Sequence, residues 1–130
     1  QLVLSLDLAP TLLELAGAPA LPGLHGCSLV GLLGRNGGTA PGLRDAFLVE
    51  HFSDNVFPRA VKLGYQALRT GRWKLIHYVD LAGMDELYDL QTDPYELKNL
   101  IGVPPAAGEL RQMRATLAQQ LRTTGAPVRN

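Results

Sequence analysis

The chain has 130 residues, enough for one domain's core, with 12 basic and 12 acidic side chains and no net charge. That balance excludes the basic field that nucleic acid or an anionic membrane surface requires, and no apolar run approaches the roughly 20 residues of a membrane span. Charged residues are only 18% of the chain, below the roughly one quarter usual for a soluble domain, which implies a surface partly meant to be covered.

Gln1 to Leu6 is apolar and reads as a short strand or the lead-in to a helix. Asp7 to Gly17 predicts a helix: Asp7 caps it, Pro10 is tolerated in the first turn and Gly17 stops it. Leu8, Leu12, Leu15 and Ala16 form one apolar face. Metal ligation by Asp7 is the alternative to capping, and a lone carboxylate favours the cap. Residues 18–43 are rich in Gly and Pro and read as a connection, interrupted by a helical turn at Ser28 to Leu33. Ala46 to His51 is a strong strand, followed by a polar and aromatic excursion from Phe52 to Gly64.

Gln66 to Arg69 and Trp73 to Tyr78 are β-prone runs joined at Thr70-Gly71, a hairpin. In the second run Trp73, Leu75 and His77 face one way and Lys74, Ile76 and Tyr78 the other. Apolar groups on both faces predict a central strand, with Trp73 anchoring the core. Glu86 to Asp89 is a short strand with Leu87 and Tyr88 on opposite faces. Asp93-Pro94-Tyr95-Glu96 carries the signals of a helix start: a cap, proline at the first helical position, and Glu three residues on. Gly102 to Gly108 reads as a linker. Glu109 to Thr123 is an amphipathic helix with Leu110, Met113, Leu117 and Leu121 on one face, and residues 125–130 are a tail. The pattern predicts an α+β fold, a small antiparallel sheet of about four strands with the C-terminal helix packed on one face.

The hairpin, strand and turn, "ALRTGRWKLIHY…DELYDLQTDPYELKNL", resemble the C-terminal end of the sulfatase family, arylsulfatases and N-acetylglucosamine-6-sulfatases above all. There an "RT.R.KYI" hairpin precedes "ELYDL..DP.E..NL". "DLAPTLLELAG" resembles the family's "D..PT.L.LAG" helix, "LHGCSLVGLL" its "DG.SL.PLL" turn (with His25 where an aspartate is common), and the strand at Ala46 to His51 its "D..LVE" strand. The resemblance spans about residues 3 to 101. It implies that residues 1–17 are the last helix of a large α/β domain absent from this chain, 18–43 a connecting segment, 44–124 the C-terminal subdomain and 125–130 a tail. For the parent enzyme it implies sulfate-ester hydrolysis, a formylglycine nucleophile and a calcium ion. The partners it implies are the rest of the sulfatase chain and a sulfated small molecule or glycan.

None of the family's catalytic residues is matched here. The formylglycine signature requires proline two residues and arginine four residues after the cysteine or serine; after Cys27 those positions hold Leu29 and Gly31. Cys27, the single cysteine, has no cation or base beside it in sequence and reads as a small hydrophobe. Ser53-Asp54-Asn55 superficially resembles a metal-binding segment but lacks the several converging oxygens that calcium takes, so a turn is preferred. His25, His51 and His77 show no ligand spacing. No nucleophile elbow, phosphate loop or dinucleotide motif is present.

The stretch with the most chemistry is Glu50-His51-Phe52 with Phe57-Pro58-Arg59, leaving the end of a strand. An arginine suits a sulfate or a uronate carboxylate through paired N–H groups. "VEHFSDNVFPR…GYQALRT" resembles a loop in some bacterial sulfatases. His51 and Arg59 are therefore the candidate substrate-binding residues; the chain offers no catalytic and no metal-binding candidate. The reading is the C-terminal subdomain of a sulfatase, without nucleophile or metal site and silent alone. The alternative is a stand-alone α+β interaction or scaffold module. The crowd of leucines in residues 1–17 further predicts that the chain by itself self-associates.

Overall fold

A computed structural model describes residues 1–34, 43–52 and 61–125. They form two compact units, Gln1–Asp45 and Ala46–Asn130.

In the first unit a 3-10 turn, Ser5–Asp7, runs directly into helix α1, Leu8–Leu15. The expected cap is corrected here. Asp7 makes no side-chain bond to the amides of α1. An N-cap needs extended backbone, and the preceding turn already sets Asp7 at φ −78° and ψ −14°. Its carboxylate is turned back and inward instead. It accepts from the Leu4 amide at 2.7 Å, the Cys27 amide at 2.9 Å, and both terminal nitrogens of Arg44 at 2.7 Å each. Thr11 extends the tie, donating to the Asp7 carbonyl at 2.5 Å and accepting from the Leu29 amide at 2.9 Å. Gly26 makes the approach possible: a Cβ there would lie 2.0 Å from the Leu6 carbonyl oxygen. A buried carboxylate, not an apolar cluster, therefore organises this unit. Leu8, Leu12 and Leu15 are all exposed.

The second unit is a meander of four antiparallel strands in the order β1 (Ala46–His51), β2 (Tyr65–Thr70), β3 (Trp73–Tyr78), β4 (Glu86–Asp89). The register sets Leu48 against Leu68, Leu68 against Leu75, and Leu75 against Leu87. That row faces helix α2, Ala107–Thr124, whose Met113, Leu117 and Leu121 close the core with Ala106. Strand β3 is interior and shows its two faces as the alternation predicts.

Three local readings change. The 102–108 linker is ordered: a 3-10 turn at Pro104–Ala106 leads straight into α2, and Ala106 is buried. Trp73 is half-buried at the rim of the core, with the Arg72 guanidinium 5.0 Å over its ring. The expected helix at Asp93 is a single turn. Asp93 does hold a later amide, that of Lys98 at 2.8 Å, but Glu96 adopts φ 57°, a left-handed geometry that ends any helix. Competing long-range bonds explain this. Glu96 is drawn to Lys74 at 2.6 Å, and Asn99 Oδ1 accepts from the Leu87 amide at 3.0 Å.

Arg72, in the β2–β3 turn, clasps the far strand. Its Nε and Nη2 donate to Asp89 at 2.9 and 2.7 Å. This guanidinium, ahead of the opposing effect of burial, lowers the Asp89 carboxyl to about 2. A carboxyl lowered from 3.8 stabilises the fold above pH 3.8, and the contribution fades as pH falls toward 2. The unit should therefore lose on the order of 2 kcal/mol between pH 5 and pH 2 from this group. Arg72→Ala should flatten that part of the profile, measured as denaturant midpoint against pH. Parallel profiles in the two proteins would contradict the assignment.

Candidate functional site

The sheet's alternation divides the residues of the expected site. At the C-terminal end of β1, Glu50 points toward the α2 face and His51 toward the opposite, open face. Glu50 is held by Gln66 Nε2 at 3.1 Å. His51 is exposed and stacks on Tyr65, its register partner, with ring centroids 5.4 Å apart at 26°. Tyr65 in turn meets Tyr78 edge-on at 6.1 Å. The three rings make a row across β1, β2 and β3. His51 and Tyr65, with Phe52 and Val79, border a shallow cleft of about 10 Å³ lined also by Glu50 and Gln66, room for about one water.

Tyr78 and Tyr88 both donate to Glu86, at 3.2 and 2.8 Å. Burial first, then the neighbouring carboxylate, pushes the Tyr88 phenol up to about 12 and raises that of Tyr78. Both hydroxyls thus stay protonated donors near neutral pH and cannot serve as bases. The arrangement holds an imidazole in a fixed pose at a strand end and presents it to solvent. That geometry can bind an anion or a hydroxyl; it contains no activated nucleophile.

Arg59, Ser53-Asp54-Asn55 and Phe57-Pro58 lie outside the described residues. His77 is on the face opposite His51, where Asp85 lies 3.0 Å from its Nδ1 and Arg114 of α2 pairs with the same carboxylate at 3.2 Å. His51 and His77 are thus not brought together. His25 is an exposed residue of the first unit. Among the described residues no three His, Cys, Asp or Glu side chains converge to hold a metal.

Cys27 needs a second correction. Its chain neighbours carry no cation, yet Arg44 Nη2 lies 3.8 Å from its sulfur. The guanidinium is there for Asp7. It holds that carboxyl well below the usual carboxylate range, and Asp7 in turn raises Arg44. The thiol thus borders an ion pair that already satisfies its cation.

With this geometry in hand, the family described as N-sulphoglucosamine sulphohydrolase, C-terminal, matches residues 1–124. The chain belongs to this sulfatase family. The N-acetylglucosamine-6-O-sulfatase of Bacteroides thetaiotaomicron is 30% identical over 116 residues, 89% of this chain and 20% of that protein. Arylsulfatase K of Mus musculus is 32% identical over 121 residues, 90% of this chain and 20% of that protein. Among solved structures, BT4656 in complex with its substrate D-glucosamine-2-N,6-O-disulfate superposes with a TM-score of 0.76 at 28% identity, over 89% of this chain and 23% of that one. The chain thus spans about a fifth of the length of the relatives it matches. It is a sulfatase C-terminal portion, with the antiparallel sheet and C-terminal helix expected of one.

Sequence reading missed Tyr65 as the neighbour of His51, with Tyr78 and Glu86 following it along the sheet. The signal was available once the hairpin register was fixed, because His51, Tyr65 and Tyr78 fall in line across three strands.

Proposed function

We propose that this chain is the C-terminal subdomain of an enzyme that hydrolyses sulfate esters. In it, the chain helps to hold the substrate and takes no part in breaking the bond. The observation that carries the reading is the family match over residues 1–124. The residues here do not fit the group that performs the chemistry. Cys27 lacks the proline and arginine of the formylglycine signature and faces an occupied ion pair. The formylglycine and the calcium ion of the parent therefore belong to a part of the enzyme other than this chain, and no step is routed through them here.

His51 and Arg59 are the substrate-binding residues of this reading. The support for His51 is its exposure and fixed pose on Tyr65. Its N–H is suited to a sulfate oxygen or a sugar hydroxyl, and a guanidinium at Arg59 to a sulfate or carboxylate. Substrates of the kind named for the relatives, sulfated amino sugars, present both groups.

Two measurements test this. The chain alone, incubated with a chromogenic aryl sulfate and calcium, should show no turnover above a heat-killed control; clear turnover would refute the reading. In the chain joined to the α/β portion that carries the nucleophile, His51→Ala and Arg59→Ala should raise KM about tenfold and leave kcat within about twofold, the pattern of lost uniform binding. A large fall in kcat at constant KM would place these residues in the transition state instead.

A further inference from the structure

The His51 imidazole stands at one end of a run of contacts that crosses the whole sheet. Among the described residues it takes no hydrogen bond and no ion pair, and its ring contact is Tyr65, stacked at 5.4 Å. A histidine exposed at a strand end has several staggered orientations open to it. A flat ring beside it favours one of them, the offset stack. The pose of His51 therefore depends on how Tyr65 is held.

Tyr65 is held from β3 and β4. Its hydroxyl takes no hydrogen bond among the described residues, so the edge of Tyr78, 6.1 Å away at 66°, sets its plane. The backbone under Tyr78 is fixed: its amide donates to Asp85 at 3.3 Å, and the next amide, of Val79, donates to the Gly64 carbonyl at 2.9 Å. What remains free is the pair of side-chain torsions of Tyr78. Its hydroxyl settles them by donating to Glu86 Oε1 at 3.2 Å. Glu86 is fixed in turn, because Tyr88 donates to its other oxygen at 2.8 Å. No cation pairs with Glu86 among the described residues; the two phenols hold it.

We propose that Glu86 is a positioning residue for the substrate: acting through Tyr78 and Tyr65, it sets the angle at which the His51 imidazole meets the sulfate or hydroxyl of a sulfated amino sugar. This rests on the reading of His51 as a substrate-binding residue. It adds the residue that governs that contact from the far edge of the sheet, β4 against β1. Planar rings suit the task, because a constraint on one end of a rigid ring carries to the other. Loosening the anchor leaves His51 present but less well aimed, so it should cost less than loss of the imidazole.

In the chain joined to the α/β portion, Glu86→Ala and Tyr78→Phe should each raise KM about threefold and leave kcat within about twofold, a smaller rise than that of His51→Ala. Tyr78→Phe removes one hydroxyl and keeps the ring, so it serves where Glu86→Ala fails to fold. In a His51→Ala background the same replacements should change KM by less than about 1.5-fold, because nothing remains to be aimed. A rise that persists undiminished in that background would make Glu86 a residue of the fold alone and overturn the proposal. So would an unchanged KM in both variants while His51→Ala raises it. The imidazole also reports the coupling without turnover. In the chain carrying isotope-labelled histidine, the His51 ring resonance, assigned by its loss in His51→Ala, should lie upfield under the Tyr65 ring. Tyr65→Leu should abolish that shift, Tyr65→Phe should keep it, and Tyr78→Phe should remove about half of it. If His51→Ala leaves KM unchanged, the functional reading fails. The coupling is then decided by the resonance: it stands if Tyr78→Phe moves the signal and is overturned if the signal stays.

Discussion

Asp7→Ala should destabilise the unit formed by residues 1–45 by about 3–5 kcal/mol, the usual cost of removing one partner from a buried ion pair. Three effects combine. The Arg44 guanidinium loses its bidentate partner while its side chain remains only 15% exposed. The Leu4 and Cys27 amides lose their acceptor. The connection at residues 25–29 loses the bond that draws it onto the 3-10 turn. Because the unit buries little apolar surface around α1, no hydrophobic core compensates. Amide exchange reads the effect locally: protection at Cys27 should fall at least about a hundredfold, since every 1.4 kcal/mol is a factor of ten. The double replacement Asp7→Leu with Arg44→Met should cost less than Asp7→Ala alone, because it leaves no orphaned charge. Wild-type exchange rates at Leu4 and Cys27 in Asp7→Ala would show that the carboxylate is not what holds the unit together.

This case also marks where sequence reasoning reaches its limit. Asp7 has the residue type and position of a helix cap, and Arg44, 37 residues away, gives no local sign of pairing with it. Local rules score neighbours, and the competing interaction here is distant. Glu96 failed for the same reason. Its capping spacing is genuine, but Lys74 across the sheet and Asn99 on the β4 amide decide the backbone path. The sheet was legible because its signals are local and repeated. Alternation placed Leu68, Leu75 and Leu87 on one face, the Gly71 turn fixed the hairpin, and a 3.6-residue apolar period marked Met113, Leu117 and Leu121. The site lay between these cases. His51 was singled out from its place at a strand end, but the ring beneath it depended on a register that only the folded sheet reveals.

The register also orders the core residues by what their loss should cost. Leu87 has no exposed surface, lies opposite Leu75, and has both backbone groups fixed, its amide by Asn99 and its carbonyl by the Leu100 amide at 2.8 Å. Truncating it leaves an enclosed void that a rigid strand cannot collapse to fill. Leu87→Ala should therefore cost about 2–5 kcal/mol. Trp73 is the larger side chain and from sequence the more obvious anchor. It is half-buried, however, and the guanidinium lying over its ring belongs to Arg72, itself half in solvent. Removing the indole opens a notch that water can enter, so the loss is a transfer cost without a sealed cavity. Trp73→Ala should then destabilise by no more than Leu87→Ala, although it deletes more than twice as many atoms. Far-UV circular dichroism in a denaturant series measures both without relying on indole fluorescence. A Trp73→Ala midpoint well below that of Leu87→Ala would return the tryptophan to the centre of the core and place the leucine at its rim.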